Sequence, residues 1–368
     1  MKVGPACRGV NHAARVGVVL AALVSLGLSS CGRPTDAAPV RVTRVFGEVG
    51  MDAGQFSYPR CIDATDTDVW IIDKLARVQR LDAKTGACLG GWRMPEWENG
   101  KPTGVTLWTP PAGGVMRVII ADTHYHRVMI YDPRGVSPPE RIMEGRGDVV
   151  ASFGSYGEGD GQFIYPTDVA VLPSRDGRGI ARLYVSEYGG HDRINVFEPA
   201  AGEAVGDERA FVFRFAFGAF GSGPGAEFNR PQSIAIDREA GELLVADACN
   251  HRIGRFTLDG TLVAWVGHGV GRGLGQMQYP YGITDIGRGR VMVAEFGGNR
   301  VQEFDLRAGR AVGVYGQAGR NVGELASPWG VAVSGGTVLI LDSGNNRVQG
   351  MAVPGGMFTR LRDVEAGG

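Results

Sequence analysis

His124, His126, His191 and His251 stand in successive stretches of the chain, each between an acidic residue and an arginine. Imidazoles gathered on one face would suit zinc, which takes nitrogen ligands at about 2.0 Å. The spacing expected between repeats is wide against that distance, and His126 and His251 occupy one position of a repeated phrase. No metal or other cofactor is therefore assigned, and these four are the only metal candidates. A second set alternates charge: Asp73 and Arg77, Asp122 and Arg127, Glu187 and Arg193, Asp247 and Arg252, Glu295 and Arg300, Asp342 and Arg347. A guanidinium fork satisfies a carboxylate and nearby carbonyls together. A pair that recurs six times is thus read as structural, not as an anion site. A third set lies around a repeated proline and in the turns: Arg60, Asp168, Gln232, Tyr281, Trp329, Tyr125 and Tyr188. Tyr, Trp and Arg are enriched at binding hot spots, so these seven are the candidate ligand- or partner-binding residues. No catalytic residue is assigned, because Gly-x-Ser-x-Gly is absent and Gly221-Ser222-Gly223 belongs to a loop.

The elements that must position these residues follow from internal repetition. The phrase FGSYGEGDGQFIYPTDVAV begins at Phe153, and FGAFGSGPGAEFNRPQSIAI begins at Phe217; related phrases start at Phe46, Val266 and Tyr315. Aligned on a proline, six copies appear at Pro59, Pro102, Pro166, Pro231, Pro280 and Pro328. Each leads into an apolar run that ends in the acid, then a turn, the arginine and another alternating run. Leu243 to Ala246 and Ile253 to Phe256 are examples. β-branched and aromatic runs of this length, bounded by Gly, Pro, Asn and Asp, predict small antiparallel meanders. One such sheet cannot bury both faces alone, whereas radial stacking covers them and leaves short edges. Beyond the first thirty residues no stretch sustains a helical apolar period. With 59 glycines in 368 residues, roughly twice the usual ~7% share, many tight turns are expected.

Gly-Asp-Gly-Gln-Phe at 159–163, the Pro-x-Gly-Val type of turn and Asn250-His251-Arg252-Ile253 resemble NHL repeats. The resemblance runs from Val40 to Val353 and implies an all-β, six-bladed β-propeller. Three departures stand out. The first repeat has one residue fewer between acid and arginine, and the second lacks the glycine-rich lead-in. Extended connections are expected at Pro133 to Val150 and Glu198 to Arg209. Ring closure is assigned to Val42–Gly47, with Phe358–Val364 as a rival. The family's geometry also implies that the turns holding the four histidines share one face with the loops entering each innermost strand. Amidating lyases of the family carry zinc-binding histidines just after the proline, where this chain has Arg60, Thr103, Thr167, Gln232, Tyr281 and Trp329. Lactonase-type propellers hold calcium with several axial carboxylates or amides, where only Asp168 offers a carboxylate.

The first thirty residues differ in character. Lys2, Arg8 and Arg15 precede an apolar run from Val16 to Leu28, the layout of a secretory signal and too short to span a bilayer. Leu28-Ser29-Ser30-Cys31 resembles a bacterial lipobox, which implies acylation of Cys31 and anchoring in the cell envelope. Gly32 after the cysteine points to the outer membrane. The expected organisation is a signal peptide at 1–30, a lipidated flexible tether at 31–39 and the propeller at 40–365. Loss of three basic residues with the leader widens the acidic excess from one to four, which together with export opposes a nucleic-acid partner. Cys61, Cys88 and Cys249 remain, an odd number; Cys61 and Cys88 either pair or serve as small buried hydrophobes.

These readings converge on a membrane-tethered, non-catalytic binding module that presents one loop-rich face to a protein, peptide or glycan. The alternative is a periplasmic metal-dependent lyase or lactonase built on the same propeller.

Overall fold

The computed structural model of the protein describes residues 40–200 and 211–352. The signal peptide, Cys31, the tether, the rival strand at Phe358–Val364 and most of the connection from Glu198 to Arg209 lie outside the described residues. Within them the chain forms six four-stranded antiparallel sheets, a six-bladed β-propeller. Blade 1 comprises Pro59–Ala64, Asp68–Asp73, Arg77–Asp82 and Cys88–Arg93; blade 2 comprises Gly104–Trp108, Arg117–Asp122, Arg127–Asp132 and Asp148–Phe153. Blade 3 follows with Tyr165–Pro173, Ile180–Tyr188, Arg193–Pro199 and Phe211–Phe217, and blade 4 with Pro231–Asp237, Glu242–Asp247, Arg252–Thr257 and Leu262–Val266. Blade 5 is Pro280–Gly287, Arg290–Glu295, Arg300–Asp305 and Arg310–Tyr315. Blade 6 takes Gly330–Ser334, Thr337–Asp342 and Arg347–Ala352 from the end of the described chain and Val42–Phe46 from its start.

Burial along the strands explains the composition of each. The second strand of a blade has neighbouring blades against both faces, so Asp68–Asp73 and Thr337–Asp342 are buried at every residue and read as near-continuous apolar runs. Outer strands alternate instead, as in Phe211–Phe217, because one face meets solvent. The first strands pack on one another in a closed cycle around the axis. Six apolar clusters fill the six seams. Trp70, Val78 and Trp92 of blade 1, for example, meet Val118, Ile120 and Tyr131 of blade 2. The Trp92 and Tyr131 ring centroids lie 4.9 Å apart there. Each fully buried side chain of this size contributes roughly 1.5–3 kcal/mol, so the seams are the main source of stability.

The ring closes through the N-terminal strand, whose Val42 and Phe46 stand opposite Met351 and Val348. This strand gives blade 6 its fourth strand and ties the first described residues to the last sheet, so blade 6 is held in the ring like the other five. Two details differ from the sequence reading. The outer strand of blade 2 begins at Asp148, so the extended connection there ends sooner than Val150; two 3-10 turns, Pro133–Gly135 and Pro139–Arg141, occupy it. Likewise Glu198 and Pro199 are still strand, because blade 3 has longer sheets. Cys61, Cys88 and Cys249 are free thiols. Cys61 faces the seam with blade 2 while Cys88 packs toward the seam with blade 6, so the two sulfurs lie on opposite sides of one sheet.

Candidate functional site at the axial mouth

Local chemistry at the acid and arginine positions is uniform. All six pairs are ion-paired, at 2.6 Å for Asp73 and Arg77, 2.9 Å for Asp122 and Arg127, and 2.6 Å for Glu187 and Arg193. The remaining three lie at 2.8 Å (Asp247, Arg252), 2.8 Å (Glu295, Arg300) and 2.7 Å (Asp342, Arg347). Each acid is buried, and each arginine reaches further. Arg252 donates to the Gly223 and Glu227 carbonyls, Arg300 to Gln276 and Arg347 to Asn321 and Glu324, all in the glycine-rich loop that leads into the blade. The same loops donate back: the Asn229, Gln278 and Ala326 N–H groups bond the carboxylates. The pair is therefore a clamp that holds the lead-in loop to its sheet. In blade 2, which lacks that loop, Arg127 turns to the Glu96 carboxylate at 2.7 Å.

The turns after the acids contain a second device that the residue types alone did not disclose. His126, His251, Asn299 and Asn346 adopt φ between 53° and 57°, a left-handed conformation in which Asn, Asp and His are enriched. From there Asn346 accepts a bond from the Tyr58 N–H, Asn299 from Ser327 and His251 from Tyr279, each at the start of the next blade. Asp192 does the same for Arg230 at 2.5 Å, and the His126 ring meets the Ile164 carbonyl of blade 3. The donating residues Tyr58, Arg230, Tyr279 and Ser327 are themselves left-handed, with φ of 51°, 62°, 54° and 46°, directly before a proline. Such conformations cost about 1–3 kcal/mol and persist only where the surroundings over-determine them.

These latches bring the residues around the repeated prolines together at the axial mouth. The Arg60 guanidinium lies over the Trp329 ring, 5.0 Å from its centroid. Trp329 meets Tyr281 edge-on at 4.9 Å and Tyr58 at 6.0 Å, and Tyr281 stacks on Phe296 at 4.6 Å. Arg230 then sits over both Tyr281, at 5.1 Å, and Tyr188, at 4.8 Å, and donates through Nε to Gln232 Oε1 at 2.9 Å. Arg60 and Arg230 lie near enough for their charges to act on each other, which completes the circuit. Burial lowers the Arg60 pKa, and the Arg230 charge lowers it further. Burial raises the hydroxyls of Tyr58, Tyr188 and Tyr281. Among the described residues neither the Arg60 nor the Arg230 guanidinium forms a salt bridge; the Asp192 carboxylate takes the Arg230 backbone N–H instead. Three buried donors here also lack an acceptor: Arg60 Nε, Gln232 Nε2 and Trp329 Nε1.

Of the seven expected binding residues, Arg60, Gln232, Tyr281, Trp329 and Tyr188 thus share the mouth. Tyr281 and Trp329, however, are only 7% and 6% exposed and belong to the apolar cluster between blades 6 and 1. They cap the core and offer a ligand ring edges and an indole N–H in place of broad contact area. Asp168 is committed to the fold: Oδ2 accepts from Ser233 and the Ile234 N–H of blade 4, and Oδ1 from its own neighbour Val169. Burial pushes it up to about 7. Tyr125 lies away from the circuit, its hydroxyl accepting from the Asn99 N–H and its ring under Arg127. The histidines pack on aromatic rings: His124 and His126 share Tyr165, and His251 lies against Tyr279. Among the described residues no three His, Cys, Asp or Glu side chains converge as metal ligands would. Arg230, Tyr58 and Phe296 were not singled out from sequence. Arg230 had a signal, being an arginine beside the repeated proline with no acid in the repeat register.

A model of the NHL repeat matches residues 228–256 and 325–351, which span the clamps of blades 4 and 6. Among solved structures, the chain resembles a protein of unknown function from Bacteroides thetaiotaomicron. Identity is 16%, coverage 84% of this chain and 75% of that one, and the TM-score 0.58. It is also similar to a chain of a nidogen/laminin complex, at 16% identity over 78% of this chain and 89% of that one, TM-score 0.51. A catalytically inactive variant of virginiamycin B lyase from Staphylococcus aureus, solved with quinupristin, matches at 13% identity over 87% and 97% of the two chains, TM-score 0.50. At such identities the likeness is one of fold, on which function is not carried.

Proposed function

We propose, for this six-bladed propeller of NHL repeats, a non-catalytic binding role in which the mouth-bearing face receives a partner outside the cytoplasm while acylated Cys31 holds the disc to the envelope membrane. The observation that carries it is the contrast in how arginine is used. Six arginines pair their guanidinium groups with buried carboxylates, while those of Arg60 and Arg230 meet around the mouth aromatics with no salt bridge among the described residues. A buried or half-buried guanidinium without a salt bridge is a recognition feature, since arginine, with tryptophan and tyrosine, is enriched at binding hot spots.

Two measurements test this. A photo-crosslinking phenylalanine analogue replaces Tyr279, which borders the mouth and is 42% exposed, or Val263 on the outer edge of blade 4, which is 45% exposed. Partner capture in cells is expected from position 279 and not from 263; equal capture from both overturns the face assignment. Incorporation of an alkyne-tagged fatty acid, abolished in Cys31→Ser, is expected for the anchor, and an unlabelled native chain removes it.

A further inference from the structure

We propose that the axial mouth is a carboxylate-binding site, in which Arg60 and Arg230 grip a ligand carboxylate with Gln232 Nε2 and Trp329 Nε1 as deeper donors; this rests on the binding role above and names the chemistry of what is bound. Four observations support it. First, two guanidinium groups lie within electrostatic reach of each other and neither forms a salt bridge among the described residues; the Asp192 carboxylate beside them is engaged by the Arg230 backbone N–H, so both guanidinium forks stay open to an anion. Second, the three atoms left without partners at the mouth, Arg60 Nε, Gln232 Nε2 and Trp329 Nε1, are all donors. Gln232 is 1% exposed and Trp329 6% exposed, and a buried donor without an acceptor costs about 1–3 kcal/mol. The missing partner is therefore an acceptor. Third, a guanidinium fork matches the two oxygens of a carboxylate.

Fourth, the ring faces are already used within the fold. Phe296 stacks on Tyr281, Arg60 covers Trp329, and Tyr188 carries both Tyr165, at 5.1 Å, and Arg230. A sugar platform needs an open ring face, and this arrangement presents charges and edges instead. The desolvated surround also favours a monoanion over a doubly charged phosphate, whose dehydration costs more. A free peptide C-terminus beside an apolar side chain fits these conditions. The carboxylate would sit on the two arginines, and the adjoining side chain would rest against Tyr58 and Phe296.

The test uses the full chain in detergent, titrated at low salt with N-acetyl-Gly-Phe bearing a free carboxylate, with the same dipeptide as its C-terminal amide, with digalacturonate and with inorganic phosphate. Indole fluorescence and heat are the readouts. The free acid is expected to bind, with the amide roughly ten-fold or more weaker. Arg60→Gln and Arg230→Gln should each weaken the acid by a similar factor while the melting temperature holds, which separates lost recognition from lost folding. Added salt should weaken binding as well. Equal binding of acid and amide, tighter binding of phosphate or digalacturonate than of the free acid, or no binding of the acid at millimolar concentration overturns the assignment. Crosslinking through position 279 that survives Arg60→Gln/Arg230→Gln leaves the partner face intact and removes only the carboxylate site.

Discussion

The clamps and the axial mouth use the same side chain for opposite ends. At the clamp between Asp73 and Arg77 both residues are 1% exposed, and the guanidinium donates to the carboxylate and to the Met51, Gly50 and Gln55 carbonyls. At the mouth, Arg60 rests on an indole with its Nε unpartnered. Removing one partner of a buried pair strands the other, whereas removing an unpaired charge strands nothing. Arg77→Leu is therefore expected to destabilise the protein by about 3–5 kcal/mol, and Arg60→Leu to leave the denaturation midpoint unchanged or raise it. Urea unfolding of the two variants beside the native chain checks this. A similar loss at both positions would mean that Arg60 also holds the scaffold together.

The next effect is smaller and depends on pH. Burial holds Asp168 at about 7, and Asp122 and Asp285 at about 6, against an ordinary aspartate value near ~3.9. The folded chain binds these protons more tightly than the unfolded one. Their contribution to stability is complete below about pH 4 and is lost as pH rises through 6 and 7. Asp132 works the other way: hydrogen bonds from Arg134 hold it at about 2, so its contribution is present above about pH 4 and disappears as pH falls toward 2. The urea midpoint of the native chain should fall between pH 4 and pH 7. Asp168→Asn keeps a side-chain acceptor for Ser233 and Ile234, so it should fold and show a shallower decline. An unaltered slope would place the proton on another group.

How much of this was legible follows from what each feature depends on. The blades could be read because a repeated phrase registers six times, and the clamps because a charge pair in one register has one common explanation. Even the closing strand could be read, since Val42–Phe46 ends like the other outer strands, in an apolar residue followed by glycine. The mouth was only half legible. That Tyr281 and Trp329 are buried depends on how far each side chain lies from the axis, which inter-blade packing sets and local pattern does not. Asp168 looked like a ligand because carboxylates at propeller axes often are; its two hydrogen bonds to blade 4 belong to a neighbour 65 or 66 residues away. The left-handed residues before the prolines were hidden for a different reason. A following proline biases its predecessor toward extended backbone, so nothing about Tyr58 or Arg230 announces a positive φ.

The smallest effect isolates that latch, where the clamp and the mouth meet. His251 holds φ at 57° and accepts from the Tyr279 N–H at 3.1 Å, with the two rings 4.7 Å apart. Asn346 does the same work in blade 6 with an amide and without a ring. If conformation and acceptor are what matter, His251→Asn should leave stability within about 0.5 kcal/mol of native. His251→Val should lose about 1–3 kcal/mol, because a β-branched residue is strained in this region and supplies no acceptor. Burial already lowers the pKa of His251, so the neutral ring is the form that accepts the bond. Protonation removes the acceptor, which makes the native latch weaken at acid pH while an asparagine latch does not. Midpoints for the native chain and His251→Asn compared at pH 7 and pH 5 should therefore diverge in favour of asparagine at the lower pH. A parallel response would show that the Tyr279 ring contact, and not the hydrogen bond, joins blade 4 to blade 5.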